Sequence, residues 1–549
     1  MSVMQHHTST AATHEVANQV PPLAPLNLFT THRALQEALE REGGGWGREQ
    51  AERIGEVWGG TPLLEWGPQA NENPPKLRTH DRYGHRIDEV EFHPAWHALM
   101  GLASEHGLHA LPWTSDRQGA HVVRTALGLT TGAVEAGHGC PMTMTFAAVP
   151  ALRTTPDLAA EWEPLLTASG YDGTLRPAAE KGSAKCGMAM TEKQGGSDVR
   201  SNTTTATRVA DGEYVLRGHK WFCSAPMCDL FLVLAQTEEG VSCFAVPRVL
   251  PDGSRNPFRL QRLKDKLGNR SNASSEVEFD GTWGRLVGEA GRGVPTIIEM
   301  VGHTRLDCVV GSAAGMRWAV ANATWHAAHR SAFGKLLADQ PLMGNVLADL
   351  AIESEAATVL AMRLARAYDE GDVPLRRLGT AVAKYHVCKR FPGLAFEALE
   401  CLGGNGYVEE SGMPRIYREA PLNSIWEGSG NVNALDVLRA TAKQPEVLHR
   451  FFDELAEAGG ADPHLDGAVG ALRDELADLE GIEVRARRLV ERMALCWQGS
   501  LLVRHAPAAV ADAFCAARLG GDAGLAYGTL PRGVDTRAIV ERHTPSPSS

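Results

Sequence analysis

Apolar positions change their spacing twice along this chain of 549 residues. From about Thr31 to Glu180 they recur at helical intervals, as at Leu35 and Leu39, which fall on one face. His93-Pro94-Ala95-Trp96-His97 reads as a helix start with proline in the first turn. Between Cys186 and Val287 the texture changes to short alternating or apolar runs. These are Ala206–Val209, Tyr214–Arg217, Leu230–Ala235, Ser242–Val246 and Glu276–Phe279, separated by turn signals at Asp211-Gly212 and Asp252-Gly253. From Gly293 to about Thr441 the helical period returns, and it continues past Gln444, as at Leu472, Leu476 and Leu479. The pattern predicts an α+β multidomain chain. Its expected parts are an arm over 1–26, a helical domain over 27–183 and a β domain over 184–290. A helical bundle over 291–441, an extra helical domain over 442–540 and a disordered tail over 541–549 follow.

Composition narrows this picture. The length exceeds one compact core and suggests about three to four domains. The N-terminal 26 residues are polar and then Pro-rich, which predicts a mobile arm or an extended segment crossing a neighbouring surface. A net charge of −12 gives no bulk support to nucleic-acid binding, which would need a local patch. Ten scattered cysteines without a C-x-x-C pair read as reduced thiols of a cytoplasmic protein. No apolar run is long enough to span a membrane, and no metal is expected. His6-His7 is too short a tract for a metal site, and His93 and His97 lack a third donor, so packing or hydrogen bonding is the expected role of the latter pair.

Two stretches carry the chemistry. Met190 to Val199 reads M-T-E-K-Q-G-G-S-D-V and joins the hydroxyls of Thr191 and Ser197 to the paired Gly195 and Gly196. Glycines without Cβ atoms let backbone N–H groups approach a bulky polar ligand, although a strand ending in a polar turn needs the same residues. Far along the chain, Asn423 to Asn431 reads N-S-I-W-E-G-S-G-N. Together the stretches resemble the acyl-CoA dehydrogenase flavoproteins, and more closely their alkylation-response, AidB-type branch. The resemblance runs from about Asn27 into the C-terminal region.

What the resemblance implies is specific. The fold would be an N-terminal α-helical domain, a central β domain and a C-terminal four-helix bundle, with an added helical C-terminal domain. Met190, Thr191, Gly196 and Ser197 would lie against FAD. The Lys220-Trp221-Phe222-Cys223-Ser224 element would run along the flavin, where an aromatic ring stacks well. Ile425, Trp426, Gly428, Ser429 and Asn431 would complete that wall. Arg330-Ser331-Ala332-Phe333-Gly334, followed by Gln340, matches a pattern whose arginine pairs with the FAD pyrophosphate of an adjacent subunit. Gly403 and Gly404 form a glycine-rich loop at the family's spacing ahead of Glu427.

Dehydrogenation of an acyl thioester needs a base for the α-proton, a hydride acceptor and donors for the carbonyl oxygen. No side chain accepts hydride, so a flavin is required. The resemblance makes Glu427 the base and Arg305 a substrate-side residue for an acyl-CoA-like ligand. Lys193, where the family often has proline, and Thr304, where an acidic residue is more typical, depart from the pattern on the side of CoA recognition. The AidB likeness implies a role in the response to alkylating agents and DNA repair, with double-stranded DNA held by the extra domain. Candidates are Arg439 and the run Arg485, Arg488 and Arg492, spaced by three and four on one helix face. From residue 441 onward, 12 Lys/Arg against 16 Asp/Glu leave this region at −4, so a solvated, salt-bridged helix fits equally. A homotetramer, as a dimer of dimers, follows from FAD shared across an interface. An ordinary short- or branched-chain acyl-CoA dehydrogenase without DNA binding is the alternative. An oxygen-using oxidase on the same scaffold ranks below both.

Overall fold

A computed structural model describes residues 13–546. The first 12 residues, with the His6-His7 tract, and the last three lie outside the described residues. Among the described residues, eight α-helices build the N-terminal region, from Arg33–Arg41 to Pro156–Leu166. Leu35 and Leu39 are fully buried on the first of them, as their spacing requires. The expectation of an all-helical stretch fails at one place. Lys76–His80 and Arg86–Glu91 form an antiparallel hairpin. Its turn is closed by the Asp81 carboxylate, which accepts the N–H groups of Tyr83 and His85. Two runs of five and six residues leave too short an alternation to stand out between helical patterns.

The β domain holds seven strands among the described residues, including Cys186–Ala189, Glu213–Ser224, Leu230–Thr237 and Ser274–Val287. Strand pairings run Leu230–Thr237, Gly240–Pro247, Ser274–Val287, Glu213–Ser224, Thr205–Ala210 and back to Leu230–Thr237, so the sheet closes on itself and hides most of its edges. All five strands expected from alternation are present. Phe258–Leu263, which pairs with Ser274–Val287, is an addition.

Long helices Gly293–His329, Pro341–Asp369 and Val373–Cys401, with Gly430–Lys443, form the bundle. The extension adds helices Pro445–Ala456, Pro463–Ala477, Ile482–His505, Ala508–Phe514 and Thr536–His543. Leu479, expected on a helix face, lies beyond the end of Pro463–Ala477 and is exposed. The extension is no separate body: its buried side chains share one continuous core with the bundle and the N-terminal helices. Trp497 is fully buried against Gly379, where an added Cβ would sit 2.6 Å from the indole. Arg363 and Glu454 form a two-pronged buried ion pair at 2.7 Å.

Two terminal expectations change. The tail predicted over 541–549 does not start at 541, because Arg542 and His543 close the last helix. Both bond Glu355, a carboxylate 1% exposed inside the bundle. Pro-Ser composition after Thr544 hides that anchor, since the cations precede it. The arm, in its described part, is extended over the chain's own surface. Leu23 and Leu26 are buried, and Trp325 Nε1 donates to Pro21 O at 2.9 Å.

Candidate active site

Glu427 follows a short turn, Leu422–Ser424, and precedes the helix Gly430–Lys443. Its backbone is left-handed, with φ of 57°, and Gly428 follows at 96°. A glutamate in that region is uncommon and persists only where neighbours fix it. Here they do. Arg305 Nε donates to Glu427 O at 2.9 Å, while its Nη1 bonds Asp436 at 2.7 Å. Lys384, 1% exposed, donates to Trp426 O at 2.8 Å and to Gly428 O. Asn433 Nδ2 donates to Gly428 O at 2.5 Å, and Trp426 Nε1 to Asn423 Oδ1 at 3.0 Å. Cations and amides thus hold the loop by its carbonyl oxygens and leave the carboxyl free to face elsewhere.

That carboxyl lines a cavity of about 1160 Å³ between the N-terminal helices, the β domain and the bundle. Its Oε2 is buried without a hydrogen-bond partner among the described residues. Burial pushes the Glu427 carboxyl up to about 7, against the opposing pull of Arg305, the Thr304 hydroxyl and Lys384. An acid poised there can exchange a proton near neutral pH.

The opposite wall is the Met190–Val199 loop. Met190, Thr191, Gly196 and Ser197 line the cavity. Gly195 has φ of 148°, and a Cβ on Gly196 would lie 2.4 Å from Thr191 Oγ1, so glycine is required in both places. Glu192 points away from the cavity and organises the loop from beneath. It accepts from Lys220 Nζ at 2.8 Å, Thr203 N at 2.7 Å, Thr204 N at 3.1 Å and Gln194 Nε2 at 2.8 Å. Burial alone would raise this carboxyl, but Lys220 and those donors outweigh it and hold it well below the usual carboxylate range. Asn202 Nδ2 donates to Met190 O at 2.9 Å.

The Lys220–Ser224 element is divided by the cavity. Phe222 and Ser224 line the cavity, whereas Trp221 and Cys223 do not. All lie on the strand Glu213–Ser224, whose pairing with Ser274–Val287 shifts register between Lys220 and Cys223. Trp221 instead meets Lys264, whose Nζ is 3.2 Å from the ring centroid, and Cys223 is buried in the β-domain core.

Ile425, Trp426, Gly428 and Ser429 border the cavity with Glu427, as does Arg305. Asn431 does not; its Oδ1 accepts from Arg487 Nε at 2.7 Å, a residue of the extension. Arg330, Phe333 and Gln340 also lie away from this cavity. Gly403 and Gly404 sit in a surface turn where an added Cβ would meet nothing within 4 Å. Arg439 borders the cavity, apart from the other proposed DNA residues. Those three converge on the end of one helix: Arg488 and Arg492 reach the Glu475 carboxylate at 3.1 and 2.5 Å, and Arg485 bonds Asp478 O at 2.6 Å. His93 accepts from Ala95 N, and His97 shares a hydrogen bond with Tyr171.

Sequence reasoning passed over Lys384, Asn433 and Asp436, which fix the Glu427 loop, and Glu192 and Lys220, which fix the other wall. Lys384 had a signal: it is a lone cation after the apolar run Ala381-Val382-Ala383.

The donor set fits FAD. A glycine cradle that a Cβ would fill, the aromatic rings of Phe222 and Trp426, and a buried carboxyl oxygen without a partner share one cavity. Comparison with known proteins agrees. Residues 18–173 match the adaptive response protein AidB N-terminal domain. Residues 187–282 match the acyl-CoA dehydrogenase middle domain, and 291–442 its C-terminal domain. The putative acyl-CoA dehydrogenase AidB of Escherichia coli K12 is 47% identical over 93% of this chain and 96% of its own. Acyl-CoA dehydrogenase family member 11 of Caenorhabditis elegans is 29% identical over 80% of this chain and 77% of its own. The structure of Caenorhabditis elegans ACDH-11 in complex with C11-CoA superposes with a TM-score of 0.85, at 26% identity, covering 94% of this chain and 95% of that one. By site and by kinship, the chain belongs to the acyl-CoA dehydrogenase family of FAD-dependent oxidoreductases, in its AidB branch.

Proposed function

We propose that Glu427 is the catalytic base of an α,β-dehydrogenation of an acyl-CoA-like thioester. One observation carries this reading: a buried, unpartnered carboxyl oxygen, poised near neutral pH, opens into a cavity whose far wall suits a flavin. Glu427 takes the α-proton, and its own N–H, which makes no hydrogen bond among the described residues, is the donor assigned to the thioester carbonyl. Arg305 and Lys384 hold the loop so that base and donor stay in register. Trp426 and Phe222 narrow the space and limit water. FAD, when bound, supplies the hydride acceptor that side chains lack. Met190, Thr191, Gly196, Ser197, Phe222, Ser224 and Trp426 would hold it. The bound C11-CoA of ACDH-11 supports a fatty acyl thioester as ligand.

The remaining residues support an assembly. Arg330, Phe333, Gln340, Gly403 and Gly404 lie off this chain's own cavity, and Phe333 is 100% exposed, so they are assigned to the FAD of a second copy within a tetramer. We further propose double-stranded DNA binding and a part in the response to alkylating agents; the match to the adaptive response protein AidB N-terminal domain supports an adaptive-response role. The ten unpaired cysteines favour a reducing, cytoplasmic setting, and no helix among the described residues is long and apolar enough to cross a membrane.

The test is anaerobic mixing of FAD-loaded protein with straight-chain acyl-CoA esters from about four to twelve carbons, reading loss of the flavin absorbance. Bleaching in the wild type and none in Glu427→Gln, at equal FAD content, is the expected result. Equal bleaching in both would remove Glu427 from this role.

A further inference from the structure

Arg330 begins a hairpin too short to hold itself. Only Ser331 with Leu336 and Ala332 with Lys335 are paired as strands, with one further bond from Leu337 N to Arg330 O at 2.8 Å at the root, and the turn is Phe333-Gly334. Both turn residues are left-handed, at φ of 53° and 76°, a conformation that suits glycine but not phenylalanine. An isolated two-stranded hairpin is marginal in water even when longer. Something must fix this one.

Two carboxamides do. On the inner side, Gln340 Nε2 donates to Ala332 O at 3.1 Å. On the outer edge, Asn18 of the N-terminal arm makes a reciprocal pair with the Ser331 backbone. Ser331 N donates to Asn18 Oδ1 at 2.9 Å, and Asn18 Nδ2 donates to Ser331 O at 2.8 Å. The amide thereby stands in for one residue of a third strand, meeting both a donor and an acceptor of an edge. Asn18 itself has φ of 56°, which asparagine tolerates better than other side chains. In that conformation its own carbonyl accepts from Arg330 Nη1. Three hydrogen bonds from one residue therefore meet at the root of the hairpin. The arm is anchored just beyond them by the Trp325–Pro21 bond and by buried Leu23.

Arg330 has no carboxylate within ion-pair distance among the described residues, and a single side-chain hydrogen bond to Asn18 occupies one of its five donors. Its fork is oriented but not neutralised. Phe333 beside it is wholly exposed. This is the state of a group prepared for a partner outside the chain.

We infer that Asn18 is a positioning residue for cofactor binding: it sets the Arg330 hairpin so that the guanidinium meets the FAD phosphates of a second copy. The inference rests on the reading of Arg330 given under Proposed function. It gives the N-terminal arm a role in holoprotein assembly that the Met190–Val199 loop and the Glu427 wall do not share.

The experiment is FAD titration of full-length apoprotein, read by flavin fluorescence, with assembly state followed by sedimentation velocity. Asn18→Gly keeps the left-handed backbone and removes only the amide. It should weaken FAD binding roughly tenfold, in line with loss of hydrogen bonds that set a charged group. Arg330→Gln should weaken it at least as much. The double variant should be no weaker than Arg330→Gln alone, since Asn18 acts through that side chain. Asn18→Asp keeps the acceptor for Ser331 N–H but sets a carboxylate beside Arg330, and it should bind FAD less well than Asn18→Gly. Full affinity in Asn18→Gly, or losses that simply add in the double variant, would overturn the inference. Full affinity in Arg330→Gln would remove the reading beneath it, and the inference with it. A merely structural role for Asn18 would lower the melting temperature of the apoprotein without this non-additivity.

Discussion

Glu427 is at once the residue most exposed to test and the one whose chemistry follows most directly from its surroundings. Burial raises its carboxyl from an ordinary 4.5 to about 7. A base is useful only when deprotonated, so the rate of flavin reduction should rise about tenfold per pH unit below that value and level off above it. Thr304→Val removes a hydroxyl that favours the charged form, and the midpoint should move upward. Stopped-flow bleaching from about pH 5 to 9 decides both; a flat profile would contradict them. The same shift has a thermodynamic face. The folded state holds this proton more tightly than the unfolded chain, so stability from this group is present below about pH 4.5 and is lost as pH rises through about 7. At one order of magnitude per unit, the loss approaches about 3 kcal/mol in the absence of ligand. Glu427→Gln should therefore raise the melting temperature of the apoprotein at about pH 8 and leave it nearly unchanged at about pH 4.5. Calorimetry at the two values tests this, and an unchanged melting temperature at the higher one would mean that the carboxyl is not desolvated. Glu427 entered only through the resemblance of its Trp-Glu-Gly-Ser segment to the family, because a glutamate ahead of Gly-Ser-Gly otherwise reads as a turn residue. Which of Trp221, Phe222, Cys223 and Ser224 line the cavity was not legible, because the strand's register shifts between Lys220 and Cys223.

At the scale of elements, the site is a loop pinned by a helix. Lys384 projects from Val373–Cys401 into the carbonyl oxygens of Trp426 and Gly428. Lys384→Met conserves the stem and removes the donors. With both carbonyl groups released, a displacement of about 1 Å at Glu427 should cut the rate of flavin reduction on the order of a hundredfold. FAD affinity should stay within about twofold, since Lys384 does not border the flavin wall. Measuring the two separately distinguishes a misplaced base from a lost cofactor; equal falls in both would assign Lys384 to the cofactor instead. Strands and long helices were readable here because their periods persist over many residues. The Lys76–Glu91 hairpin and the Phe258–Leu263 strand were not, being short and stabilised by partners distant in sequence. Asp88 shows this: its carboxylate accepts from Leu260 N, 172 positions away.

The whole molecule poses a question of charge. The chain carries −12 overall and the region from residue 441 carries −4, yet the proposed function includes a duplex DNA partner. The order of helical, β and helical regions was visible from texture alone. The docking of the extension was not, because it depends on which carboxylates lie buried beneath it, such as Glu355 and Glu353. The same blindness affects the arginine run. Spacing puts Arg485, Arg488 and Arg492 on one face, but the structure spends that face on Glu475 and Asp478. A guanidinium already shared with a carboxylate releases fewer counterions when it meets a phosphate, so this patch should bind duplex DNA weakly as it stands. Glu475→Gln frees the cluster without touching its arginines. It should tighten binding of a fluorescent duplex and steepen the dependence of log K on log salt by about 0.9 for each further phosphate neutralised. Replacing Arg488 and Arg492 with Gln should flatten that slope by roughly 2 in the Glu475→Gln background, and by less in the wild type, where the two are engaged. Indifference of both slope and affinity to Glu475→Gln would move the DNA surface off this cluster, and Arg439 at the cavity border would become the next residue to neutralise.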